Sequence, residues 1–308
     1  MHDIRLAIGL IAFLSVAAFL VVVRLLRDRS SHLQTAFALG IVVAIFAYVD
    51  LVWDQLWIVQ WIPLPSVIVL SNWFPILLSA LGACVWLRIG KEGGRSFVVV
   101  GLIIVMAAGS LLYFVPGEPP VCGNKWDPPP PRRPYRLCIQ TTPNTCSAAA
   151  AATMLGTIGI ESSEGEMAEL CLTRSNKAWL GLPISQAGTT WLGLYHGMST
   201  KLYGSGHRVV FFEGTISQIE KMAKVHPVLL CCELEPKMAE QLPQYVLEGG
   251  WIPGTAHSVV YMGRFADGHL IGDPSRGYEV WRDQDLDLLW TGQGLRMGHV
   301  DRKGNPTD

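Results

Sequence analysis

Four residues of this chain are of types that together could run thiol chemistry: Gln140, Cys146, His257 and Asp273, in that order. Cys146 lies in the run Gln140-Thr-Thr-Pro-Asn-Thr-Cys146-Ser-Ala-Ala-Ala-Ala-Ala, at the head of an alanine-rich stretch. Cysteine attacks as the thiolate, and its free pKa of about 8.5 falls at a helix N-terminus or beside an imidazolium. The alanines predict a helix that starts at Cys146, where the dipole and exposed N–H groups favour an anion. Pro143 restrains the approach, and Asn144 or Thr145 can cap the helix. His257, in Thr255-Ala-His-Ser-Val-Val-Tyr261, is the candidate base and later acid. Asp273, in Ile271-Gly-Asp-Pro274, follows across one expected hairpin with Asp267-Gly268 as its turn signal. Hairpin strands place their far ends side by side, so this carboxylate could hold the imidazole's tautomer and charge. Gln140 could donate its side-chain amide to a developing oxyanion, together with the Cys146 backbone N–H. Singly, each residue also fits a plainer role: an inert buried thiol, a core histidine, a turn aspartate, a loop glutamine. Their order and context make the combination informative.

The elements that must position these residues occupy about 136–308. Helices are expected at Ser147–Ile158, Glu164–Leu172, Pro183–Tyr195 (ending before Gly197) and Ser217–Lys224. Strands are expected at Arg208–Phe212, Val228–Leu234, His257–Phe265, His269–Gly272 and Gly277–Trp281. Helices first and strands later imply an α+β domain, with helices packed on an antiparallel sheet.

The chain is 50% hydrophobic but only 16% charged, and the deficit of charge is concentrated before residue 118. Four apolar stretches, about 6–23, 33–53, 64–87 and 96–115, approach the roughly 20 residues that cross a bilayer. The first reads as a retained span rather than a signal peptide. Its apolar run is long, and Arg24, Arg27 and Arg29 follow it where a small-residue cleavage site would stand. Arg88, Lys91 and Arg95 mark the third loop as cytoplasmic like the first. The second loop carries Trp53, Trp57 and Trp61 and no basic residue. This pattern predicts a multi-pass membrane protein whose following domain lies on the extracytoplasmic side. Residues 118–135 are proline-rich and predict a stiff, extended linker between membrane helices and domain. Cys122 and Cys138 flank it and could pair as a disulfide outside the cytoplasm. Cys171 reads as helix-face packing, and at least one of Cys231 and Cys232 as a small core residue.

Net charge is −1 with no long basic run, which speaks against nucleic-acid binding. His-Glu-x-x-His and Cys-x-x-Cys spacings are absent, and His196, His207 and His226 are scattered, so neither metal nor cofactor is expected.

The pattern Gln-x5-Cys, an alanine-rich helix, Ala256-His-Ser-Val-Val260 and a Gly-Asp-Pro turn resembles the papain-like bacteriocin-processing cysteine peptidases that cut after double-glycine leaders. Trp290-Thr-Gly292 is similar to their closing segment. The resemblance covers roughly Leu137–Met297 and none of the membrane region. It implies a papain-like fold with Cys146 as nucleophile, His257 as base, Asp273 as its orienter and Gln140 in the oxyanion hole. Two positions depart from the family: Ser147 stands where Gly commonly follows the cysteine, and Asn144-Thr145 replace an acidic residue. Many members are fused to ATP-driven exporters. This chain has no Gly-x4-Gly-Lys-Ser/Thr loop, so leader processing during export is not carried over.

The reading that follows is a membrane-anchored cysteine peptidase acting on a peptide or protein substrate, with the bilayer, and a membrane protein of unknown identity, as further partners. Two alternatives use the same residues: a thioester-forming acyltransferase or transpeptidase, and an inactive peptide-binding module.

Overall fold

The protein was analysed as a computed structural model, which describes residues 2–89, 94–112, 119–130, 135–174 and 188–300. The chain divides into two compact units, Met1–Pro116 and Gly117–Asp308.

The first unit is helical. It comprises α1 (His2–Leu26), α2 (Ser31–Leu51), a 3-10 turn (Leu56–Gln60), α3 (Val67–Leu70), α4 (Phe74–Ile89) and α5 (Gly94–Leu112). Three segments are long and apolar enough to cross a membrane: Asp3–Leu26, Ser31–Leu51 and Val67–Arg88. The fourth apolar stretch forms α5, whose apolar part, Phe97–Leu111, is shorter; its expected end at 113–115 lies outside the described residues. Val22, Leu26, Ile41, Ala83 and Cys84 form a shared core, while Leu6, Phe13, Leu20, Phe37, Val43, Phe46 and Val105 face outward. A helix bundle in water hides such side chains on its inner stripe; here large apolar groups lie on both faces.

The second unit begins inside the proline-rich segment. Strand β1 (Lys125–Asp127) pairs antiparallel with β2 (Leu137–Ile139), with Trp126 opposite Cys138. The segment is therefore not a plain extended spacer. Residues 121–127 carry no proline, so their N–H groups are available to a ladder, and the Arg136 guanidinium covers the Trp126 ring at 5.4 Å. Next come α6 (Cys146–Gly156), α7 (Glu164–Leu170), α8 (Trp191–Leu202), β3 (His207–Glu213), α9 (Ile216–Met222), β4 (Val228–Glu233), α10 (Pro236–Gln241) and α11 (Gln244–Leu247). The chain continues through β5 (Ala256–Phe265), β6 (Gly268–Asp273), β7 (Gly277–Trp281), α12 (Asp283–Leu289) and β8 (Trp290–His299). Six strands form one antiparallel sheet in the order β3-β8-β4-β5-β6-β7. This is the helix-and-antiparallel-sheet architecture that the element order implied.

Helix α6 is buried on every side, from Ser147 to Leu155. Five consecutive alanines let it approach its neighbours closely at little side-chain entropy cost. Thr153 ties it to β2, accepting from the Cys138 N–H at 2.9 Å and donating to the Ala149 carbonyl at 3.0 Å.

The structure moves three expected features. The third helix of this unit runs Trp191–Leu202 rather than ending before Gly197; residues 183–187 of the expected span lie outside the described residues. Thr190 caps it, accepting from the Gly193 N–H at 3.0 Å. Gly197 is internal because α8 lies against Cys171, whose sulfur would sit 2.3 Å from a Cβ placed there. The β5–β6 turn is Ala266-Asp267, with Ala266 at φ 51, instead of Asp267-Gly268. Gly268 is the first residue of β6, where a Cβ would meet the Trp281 carbonyl at 2.5 Å. Cys122 and Cys138 are free thiols rather than a disulfide. Cys138 is buried in β2, and Cys122 contacts the Pro120 carbonyl at 3.4 Å.

Candidate active site

Cys146 is the first residue of α6. The threonine before it, at the cap position, gives the helix no side-chain hydrogen bond. Its hydroxyl instead donates to Glu164 Oε1 at 2.5 Å. Glu164, fully buried at the start of α7, also accepts from the Thr141 N–H at 2.8 Å and the Thr141 hydroxyl at 2.7 Å. One carboxylate thus clamps both ends of the loop that delivers Cys146. Sequence reasoning placed Glu164 only as a helix start; a buried acid with three donors is visible only once α7 packs under the loop. Glu164→Ala would orphan three donors at about 1–3 kcal/mol each. The expected result is a drop of several degrees or more in the thermal midpoint of the full chain, read by circular dichroism in detergent. An unchanged midpoint would remove this clamp from the account.

His257 lies near the start of β5, opposite Cys232 on β4. Val260 on β5 pairs with Gly272 on β6, so one step further Asp273 falls beside Val259 and diagonal to His257. His257 Nε2 meets Asp273 Oδ1 at 2.9 Å. The same Oδ1 accepts from the Ser275 N–H and hydroxyl, both at 2.7 Å. With Nε2 engaged, Nδ1 is the ring nitrogen left for the sulfur, and the imidazole is near enough to Cys146 for each group to shift the other. Trp251 packs edge-on against the imidazole at 5.4 Å. Three residues singled out in the sequence, more than a hundred positions apart at the extremes, therefore come together: an imidazole hydrogen-bonded to a carboxylate, with the sulfur beside it.

The electrostatics of the three groups are coupled. Burial alone would push the Cys146 thiol up, but the hydrogen bond and charge of His257, the Ser258 N–H and the Ser147 hydroxyl outweigh it and bring it below its ordinary value. Burial disfavours the charged imidazole of His257, yet its hydrogen bonds to Asp273 and Cys146 push it up to about 10. Burial opposes ionisation of Asp273 too, and His257 with Ser275 still holds it low. The three directions agree in sense: each favours the charged form, thiolate, imidazolium and carboxylate. Four other thiols of this unit behave oppositely. Burial pushes Cys122 up to about 11, Cys138 up to about 12, and Cys171 and Cys232 upward as well.

Gln140 sits just beyond β2, its N–H bonded to the Pro274 carbonyl at 2.8 Å, next to Asp273. One hydrogen of its side-chain Nε2 goes to the Thr142 carbonyl at 3.1 Å, leaving the second free by valence. Its Oε1 is buried and has no hydrogen-bond partner among the described residues.

Among solved structures, the chain is similar to peptidase domains. The peptidase domain of Streptococcus ComA, a bi-functional ABC transporter of a quorum-sensing pathway, is 18% identical with a TM-score of 0.39, over 53% of this chain and 97% of that one. A putative C39-like peptidase from Bacillus anthracis is 19% identical, TM-score 0.38, over 54% and 94%. A double-glycine-motif protease from an AMS/PCAT transporter, solved with its leader peptide, is 14% identical, TM-score 0.35, over 59% and 98%. No family model and no curated protein matches the chain.

Ser147 has a structural counterpart that sequence did not disclose. Its hydroxyl bonds the Ser258 hydroxyl at 2.8 Å, both fully or nearly buried. The pair joins the residue after Cys146 to the residue after His257, and so links the two elements carrying sulfur and imidazole. Ser147→Ala or Ser258→Ala leaves one hydroxyl unsatisfied, at about 1–3 kcal/mol, whereas the double variant removes both. The double variant should therefore melt well above the sum of the two single losses. Strict additivity in thermal denaturation would show that the two hydroxyls act independently.

Proposed function

We propose that this protein is a membrane-anchored cysteine peptidase. The single observation carrying the reading is the convergence of Cys146 on the hydrogen-bonded His257–Asp273 pair, with opposite shifts at Cys146 and His257. The Cys146 thiolate attacks the scissile carbonyl carbon, forming a C–S bond. Gln140 Nε2 and the Cys146 N–H stabilise the oxyanion. The imidazolium passes its proton to the leaving amine, the C–N bond breaks and a thioester remains. Neutral His257 then takes a proton from water, whose oxygen attacks the thioester and expels the sulfur as thiolate, leaving the imidazolium and a carboxylic acid product. Asp273 keeps the imidazole oriented throughout. A cavity of about 390 Å³ is lined by Tyr245, Trp251, Trp281 and Leu289 together with the acidic Glu279 and Asp285, and Trp251 also packs on His257.

Anchorage is supported by the three long apolar helices and by the large outward-facing side chains of the first unit. With α5 as a fourth crossing, the arginine and lysine bias of the short loops favours an extracytoplasmic peptidase unit.

The test is cleavage of a peptide library by the full chain in detergent, beside Cys146→Ala. Cleavage by wild type alone supports the reading; equal cleavage by both proteins sinks it.

A further inference from the structure

Far from Cys146 in sequence and assigned to nothing in the reaction above, three histidines converge at one end of the sheet. His207 opens β3 and His299 closes β8, and the two are direct register partners. His226 lies in the loop that leads into β4, the strand on the other side of β8. One nitrogen from each ring lies within 4.8 Å of the other two. The rings of His207 and His299 are 4.7 Å apart and that of His226 is 5.8 Å from His299.

From this convergence we infer a binding site for a divalent transition-metal ion of the zinc class, held by His207, His226 and His299.

Several observations support it independently of the count. Nδ1 of His207 is 3.3 Å from the Ser205 carbonyl, an interaction that puts the proton on Nδ1 and turns the Nε2 lone pair toward the cluster. His226 Nδ1 is buried and has no hydrogen-bond partner among the described residues. Such an orphaned nitrogen costs stability unless something accepts its lone pair. Imidazole nitrogen suits zinc, copper and nickel rather than calcium or magnesium. A tetrahedral ion with bonds of about 2.0–2.1 Å wants ligand nitrogens about 3.4 Å apart. The nitrogens lie within 4.8 Å of one another, so the side chains must draw closer for an ion to seat. Three protein ligands leave a fourth position for water. The ion would pin edge strand β3 to β8 and to the entry of β4, where the sheet has no neighbour on one side.

The experiment is calorimetric titration of EDTA-stripped, desalted full-length protein in detergent with zinc chloride, alongside His226→Gln and His299→Gln. Wild type is expected to take one equivalent per chain and to melt at a higher temperature with zinc. Each variant should lose at least tenfold in affinity for that equivalent. His299 is exposed, so its replacement tests the site even where His226→Gln fails to fold. No uptake by wild type overturns the inference, as does undiminished affinity in His299→Gln, because zinc would then be held elsewhere, at Cys146 and His257 for example.

Discussion

Cys146→Ala should reduce peptide cleavage by roughly 10⁴- to 10⁶-fold, the order seen when a nucleophile is deleted from a cooperating triad. The loss should fall on kcat with KM little changed, because the sulfur makes its bond only as the carbonyl is attacked. Alanine at this position is sterically mild: the five residues after Ser147 are already alanine and the helix is packed around small side chains. The variant should therefore keep the wild-type circular-dichroism spectrum and thermal midpoint within a degree or two. Retained cleavage with an intact fold would place the nucleophile elsewhere. The other cysteines of this unit that burial pushes upward, Cys122, Cys138, Cys171 and Cys232, are poor substitutes. Their protonated sulfurs do not attack at neutral pH.

The second large effect is on pH dependence. In wild type, His257 holds its proton up to about 10 and Cys146 loses its own below the usual thiol value. The sign follows directly. As pH falls, reactivity is lost only when the depressed thiol finally gains a proton; between there and about 10 the ion pair persists. Alkylation of Cys146 by iodoacetamide should thus persist to lower pH than that of an ordinary thiol. In His257→Ala the imidazolium and its hydrogen bond disappear while burial remains, so the thiol returns to about 8.5 or higher. At pH 6.5 only about 1% would be thiolate. The greater nucleophilicity of a more basic sulfur offsets part of that. A net loss of at least about tenfold in labelling at pH 6.5 is expected, shrinking toward pH 9. Superimposable profiles for wild type and His257→Ala would show that the imidazole does not set the state of the sulfur. Labelling by mass spectrometry at pH 6.5 isolates Cys146, because the buried thiols are shifted the other way.

Local pattern made part of this molecule readable from the chain alone. Five alanines after Ser147 announce a helix whose first residue is Cys146, since nothing else packs so many small side chains together. The apolar run Val259 to Met262, the Asp267-Gly268 turn signal and the short gap to Leu270 announce a hairpin, and that hairpin brings His257 within reach of Asp273. Apolar runs of bilayer length are likewise a property of consecutive residues. Element ends were less legible. Gly197 looks like a stop signal, but its lack of a side chain serves the contact with Cys171. No strand is expected over Trp290–Leu295, where two glycines weaken one, yet β8 forms between β3 and β4 because both neighbours supply its hydrogen bonds.

Residue type and local periodicity determined which groups were available: a thiol at a helix start, an imidazole and a carboxylate on adjacent strands, apolar spans ahead of them. Tertiary structure alone decided the company they keep. Glu164 under the nucleophile loop, Ser258 against Ser147, and three histidines at the sheet edge are all contacts across long separations in the chain. No local propensity encodes such contacts, because closing each loop costs entropy that only the assembled core repays.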